Sequence, residues 1–126
     1  MKIEKVVEAV CSMAKVHKER GDISIVALLE ESGYRAISNE IPEQAIESFL
    51  RTHPDLVDSW HHYSMDQRCS PSWYIQEPSE NSSIGNEWIV GFMPGNDDNR
   101  KEIFKFNDGF QACAFFIKKF FNQILN

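Results

Sequence analysis

The stretch that decides the fold runs from Trp73 to Ile117. It contains Trp73-Tyr74-Ile75-Gln76-Glu77, then Glu87-Trp88-Ile89-Val90-Gly91-Phe92-Met93, then Glu102-Ile103-Phe104-Lys105-Phe106, and finally Asp108 ahead of Ala112-Cys113-Ala114-Phe115-Phe116-Ile117. The first three runs are rich in aromatic and β-branched residues, which fit a pleated surface. Loops of Pro, Ser, Asn, Gly and Asp separate them at Pro78 to Asn86 and Pro94 to Arg100. A three-stranded antiparallel meander is the simplest arrangement. Trp73 and Ile75 alternate with Gln76, and Phe104 and Phe106 alternate with Lys105. That period of two predicts a sheet covered by helices on one face only. Asp108 is placed to cap a final helix. Its apolar stripe of Phe110, Cys113, Ala114, Ile117, Phe121 and Ile124, widened by Phe115, Phe116 and Phe120, predicts the central helix against the sheet.

Upstream, the apolar spacing changes to that of helices. Ile3, Val6, Val7, Val10, Met13 and Ala14 recur at helical intervals, with Lys2, Lys5, Glu8, Lys15 and Lys18 on the other side, and Gly21 stops the run. Asp22 or Ser24 can cap a second, shorter helix through Ile25, Val26, Leu28 and Leu29, and Gly33 supplies a left-handed end, so the pair forms a hairpin. Pro42 and Pro54 suit the first turns of two more helices, one burying Ile46, Phe49 and Leu50, the other Leu56, Val57, Trp60 and Tyr63. The expected architecture is α+β, a single domain over 1–126. It comprises a helical bundle of about four helices (1–68), a β-meander (69–107) and a C-terminal helix packed on the sheet (108–126).

The 126 residues suit one domain with one core, and 42% hydrophobic with 25% charged residues is the composition of an ordered globular chain. No apolar run approaches the roughly 20 residues of a membrane span, and Met1-Lys2-Ile3-Glu4-Lys5 does not begin a signal peptide, so a cytoplasmic location is expected. Cys11, Cys69 and Cys113 are odd in number and widely spaced, as reduced thiols are, and the first and last lie on apolar stripes. The net charge of −6 is uneven: residues 19–66 carry ten acidic and three basic side chains, a local net of −7. Such a face repels phosphate backbones and attracts basic proteins, which points away from nucleic acid as a direct ligand.

Catalytic signatures do not emerge. There is no glycine-rich phosphate loop, nucleophile elbow, HExxH or paired CxxC. His61 and His62 with Cys69 match no common zinc spacing, and adjacent histidines on a helix diverge by about 100°. No metal or cofactor is expected. Asp66, Arg68 and Asp108 read as structural, with Asp108 a helix cap and Arg68 close enough to Asp66 to anchor the helix-to-strand turn. Trp60, Trp73 and Trp88 read as core. A helix-turn-helix reader in the second and third helices is opposed by Glu30, Glu31, Glu40, Glu43 and Glu47, since a recognition helix presents Arg and Lys to DNA. Glu43 with Glu47, and Asp55, Asp58, His62 and Asp66, form outward stripes at helical spacing.

One resemblance adds to this reading. Trp60, Tyr63-Ser64-Met65-Asp66-Gln67-Arg68, Trp73-Tyr74, Trp88-Ile89-Val90-Gly91, Phe106-Asn107-Asp108 and Ala112-Cys113-Ala114-Phe115-Phe116-Ile117 resemble bacterial immunity proteins that neutralise contact-dependent or Rhs-type toxins. The resemblance covers roughly the last half of the chain. It implies a non-enzymatic cytoplasmic inhibitor that binds the C-terminal domain of a cognate toxin, expected to be a basic nuclease acting on RNA or DNA, and blocks its active site. The matching residues are scaffold positions. Partner-binding residues are expected on the exposed acidic surfaces: Glu30, Glu31, Glu40, Glu43, Glu47, Asp55, Asp58, His62 and Asp66 on helices, with Asp97 and Asp98 in the second loop. A monomer is expected, with a dimer left open. An acidic regulatory or adaptor module binding a host protein is the alternative function.

Overall fold

The computed structural model describes residues 3–66, 72–78, 87–93 and 102–125. Helix α1 (Ile3–Arg20) buries Val6, Val7, Val10, Cys11, Met13 and Ala14. It outruns its apolar stripe by one turn, and Gly21 closes it at φ 70°, its N–H donating to the His17 carbonyl at 3.0 Å. Ser24 caps α2 (Ile25–Ser32), its Oγ accepting from the Ala27 N–H at 3.1 Å, while Asp22 faces Arg20 instead. Gly33 ends α2 at φ 81°, a conformation that a side chain disfavours.

The link to the next long helix is more structured than the sequence spacing suggests. A four-residue helix α3 (Tyr34–Ile37) and a 3-10 turn (Ser38–Glu40) occupy it. Ser32 organises the entry, its Oγ donating to the Leu29 carbonyl at 2.6 Å and accepting from the Tyr34 N–H at 3.1 Å. Tyr34 is wholly buried, edge-on to Phe121 at 5.3 Å. Lys118 Nζ then donates to the carbonyl of Ser38 (3.2 Å), which also accepts from the Ile41 N–H, and to that of Ile41 (2.8 Å), tying the turn to the last helix of the chain. Helices α4 (Glu43–Thr52) and α5 (Asp55–Asp66) follow, with Pro42 at the N-cap of α4 in extended conformation and so one position earlier than expected.

The sheet is a meander in the order β1 (Ser72–Gln76), β2 (Trp88–Met93), β3 (Glu102–Phe106), antiparallel throughout. Register pairs Ile75 with Val90 and Val90 with Phe104, and these with Trp73 form the helix-covered face. Gln76 and Lys105 are exposed on the other face. There Tyr74 lies flat over its cross-strand partner Gly91, so close that any Cβ at 91 would displace the phenol. Helix α6 (Gly109–Leu125) packs on all three strands and on α4 and α5, as the weight of its apolar stripe demands.

One contiguous core joins the two halves of the chain. Its centre is Trp60, fully buried, with Tyr63, Phe116, Phe120 and Phe121 all edge-to-face around it at 5.8 to 6.1 Å. The indole also donates from Nε1 to the Cys11 carbonyl at 2.9 Å, tying α5 to α1. Trp73 is buried as expected, and Trp88 is half-buried. The architecture is α+β: helices, then a three-stranded antiparallel sheet, then a last helix on that sheet.

Candidate functional site

The acidic residues singled out by sequence fall on three separate supports. On α2, Glu30 and Glu31 are exposed, but each has a cation. Arg35 Nε donates to Glu30 Oε1 at 2.9 Å, a hydrogen bond that holds the Glu30 carboxyl below its ordinary value, and Arg20 lies 3.6 Å from Glu31. On the 3-10 turn and α4, Glu40 and Glu43 are exposed, and Glu47 is half-buried against Arg51 at 2.9 Å. Arg51 reaches on to Asp108 and lies over the Phe110 ring at 5.1 Å, so Glu47 belongs to a bracket between α4 and the start of α6. On α5, Asp55 faces Lys15 of α1 at 3.7 Å, while Asp58 and His62 are exposed. Asp66 is the last residue of α5. Asp97 and Asp98 lie outside the described residues.

Among the described residues, Glu40, Glu43 and Asp58 are the partner-binding candidates whose carboxylates have no cation within 4.0 Å. Glu43 carries a further sign of unmet charge. Partial burial and the neighbouring Glu47 push its carboxyl above the ordinary value, against the weaker pull of Lys118 and Lys119. A carboxylate in that state gains from any cation a partner brings. Sequence spacing is compatible with the Glu47–Arg51 pair, i, i+4 on one helix, although in sequence Glu47 reads only as part of an outward stripe with Glu43. It carried no trace of the Lys15–Asp55 and Arg51–Asp108 pairs, which depend on helix packing.

The side chains that invited a catalytic or metal reading lie apart among the described residues. Among the described residues no three His, Cys, Asp or Glu side chains are grouped to hold a metal. His61 is buried against Trp88, its Nδ1 4.0 Å from Glu77, whereas His62 points to solvent. Cys69 and Arg68 lie outside the described residues. Cys11 and Cys113 are fully buried, and burial pushes the Cys11 thiol up to about 12 and Cys113 well above its usual range, the reverse of an activated nucleophile. Asp108 caps α6, accepting from the Phe110 N–H at 2.8 Å, and its ion partner is Arg51.

Two surface grooves flank α1, and neither was singled out by sequence. Between α1 and α2 a trough of about 620 Å³ has Ala9, Met13, Val16 and Leu28 as its floor. Between α1 and α4 a second trough of about 540 Å³ is lined by Ile3, Val7, Ala45 and Phe49. Lys5 and Glu8 line both. The available signal was the small size of Ala9 and Ser12 beside the apolar stripe. Small residues at i and i+3 leave a depression wherever the neighbouring helix does not fill it.

No family model, curated protein or solved structure matches this chain. Among the described residues no helix is long and apolar enough to cross a membrane.

Proposed function

We propose that this protein is a stoichiometric inhibitor that acts in the cytoplasm by binding the C-terminal domain of a bacterial toxin, a basic nuclease, and covering its active site. The observation that carries this reading is the division of labour between the two sets of residues. The positions that resemble immunity proteins include Trp60, Ser64, Trp73, Ala112, Cys113 and Phe116, all buried. The carboxylates that differ from a scaffold role, Glu40, Glu43 and Asp58, are exposed on helices. An inhibitor needs only such a rigid frame and a complementary surface, and an acidic one competes for the phosphate-binding groove of a nuclease.

The test is titration of a candidate cognate toxin domain, a purified basic nuclease, against wild-type protein and two double variants, Glu40→Lys with Glu43→Lys, and Asp55→Lys with Asp58→Lys. Affinity weakened about tenfold or more in at least one pair, with a shallower dependence on salt, is the expected result. Unchanged affinity in both folded variants would remove the acidic helices from the interface.

A further inference from the structure

We infer that the segment from Tyr34 to Glu40 is a strap that opens while the rest of the fold stays intact, held closed by the Lys118 ammonium of α6 and opposed by the buried hydroxyl of Tyr34. The main-chain hydrogen bonds of this segment are long. The Gly33 N–H reaches the Glu30 carbonyl at 3.4 Å, that of Ala36 reaches Gly33 at 3.3 Å and that of Ile41 reaches Ser38 at 3.4 Å, against 3.0 Å for Gly21, His53 and Ala112 at the ends of longer helices. A four-residue helix and one 3-10 turn are also too short to gain much from helical cooperativity. Arg35, Ala36, Asn39 and Glu40 are exposed, and the Arg35–Glu30 ion pair lies in solvent, where such pairs contribute little. Gly33, left-handed at φ 81°, gives the strap a pivot at one end.

Two side chains supply the attachment that the backbone lacks. Lys118 Nζ donates to the Ser38 and Ile41 carbonyls at 3.2 and 2.8 Å, bonds that a full charge strengthens, and it lies 5.5 Å over the Tyr34 ring. One cation therefore grips both ends of the strap. Tyr34 is inserted edge-on to Phe121 at 5.3 Å and is wholly buried, yet its hydroxyl has no hydrogen-bond partner among the described residues. An unpaired buried hydroxyl penalises the closed position, and water satisfies it once the ring swings out. Burial also lowers the Lys118 pKa, with Glu43 opposing, so the ammonium gives up some solvation when the strap closes. Glu40 is the last residue of the turn, and its carboxylate keeps a fixed place ahead of α4 only while the strap is closed.

The experiment is native-state hydrogen exchange on the full chain across a range of denaturant below unfolding. In wild type, the amides of Ala36 and Ile41 should exchange faster than those of Val10, Trp60 and Phe116, with a shallower dependence on denaturant, because opening the strap exposes less surface than unfolding does. Lys118→Met should speed exchange at Ala36 and Ile41 by about tenfold or more relative to the core amides. Tyr34→Phe, which keeps the ring and deletes the orphan hydroxyl, should slow exchange at the same two amides by about fivefold or more. Opposite effects of the two substitutions, confined to the strap, are the expected result. Exchange at Ala36 and Ile41 that matches the core in rate and denaturant slope overturns the local opening. Equal acceleration of strap and core in Lys118→Met overturns the role of the ammonium, and unchanged strap exchange in Tyr34→Phe overturns that of the hydroxyl. Should Lys118→Met fail to fold, Lys118→Gln, neutral but still polar, takes its place with the same outcomes.

Discussion

Asp108 holds two elements in place with one carboxylate. Its Oδ1 accepts from the Phe110 N–H at the start of α6, and its Oδ2 takes the Arg51 guanidinium of α4. Partial burial alone would raise its pKa, but the Arg51 hydrogen bond and the amides of Phe110 and Gln111 outweigh burial and hold it below its ordinary value of 3.8. The sign of the pH effect follows. A carboxyl depressed in the native state adds stability above its unfolded value, and loses that contribution as pH falls through the lower native value. Asp108→Asn keeps an N-cap side chain but removes the charge. Denaturant midpoints should therefore show the variant about 0.5–1 kcal/mol less stable at neutral pH, the gap closing below about pH 3.8. A gap unchanged between pH 7 and 2 would show that the Arg51 pair contributes nothing.

Sheet and helices meet at an edge that Ser64 closes. The outward N–H of Ile75 in β1 donates to Ser64 Oγ at 2.9 Å, and the hydroxyl faces the Ile75 carbonyl at 3.5 Å. An α5 hydroxyl thus stands in for a missing neighbouring strand, which protects an otherwise unpaired edge. Ser64→Ala should leave a buried N–H unsatisfied at a loss of about 1–3 kcal/mol and speed hydrogen exchange at Ile75. Unaltered stability would mean that water replaces the hydroxyl. The elements themselves were largely legible in the sequence, because each is specified locally. The period of two across Trp73, Ile75, Phe104 and Phe106 marks one sheet face, and Gly33 and Asp108 punctuate their helices. What escaped was set by contacts distant in sequence. Helix α3 is held by Tyr34 against Phe121 and by Lys118 on the Ser38 and Ile41 carbonyls, some 80 residues away. The candidate site was less legible for the same reason. Spacing on α2, α4 and α5 identified exposed carboxylates, but Arg20, Lys15 and Arg51 neutralise several of them across the fold, and the grooves beside α1 exist only once α2 and α4 are in place.

The fold as a whole is a rigid aromatic-centred frame presenting acidic helices, with its net charge of −6 concentrated before residue 67. On the proposed inhibitor reading, the partner is a preformed basic surface, and association should then be fast at low salt and slow markedly as ionic strength rises. Intramolecular pairs such as Glu30–Arg35 are exposed and weak, and a partner arginine can exchange into them. The measurement that bears most directly on the proposed function is co-expression with a candidate cognate toxin domain, scored by growth and by the stoichiometry of the purified complex. Restored growth with a stable one-to-one complex is the predicted result. Continued toxicity and no complex, with both proteins folded, would contradict it.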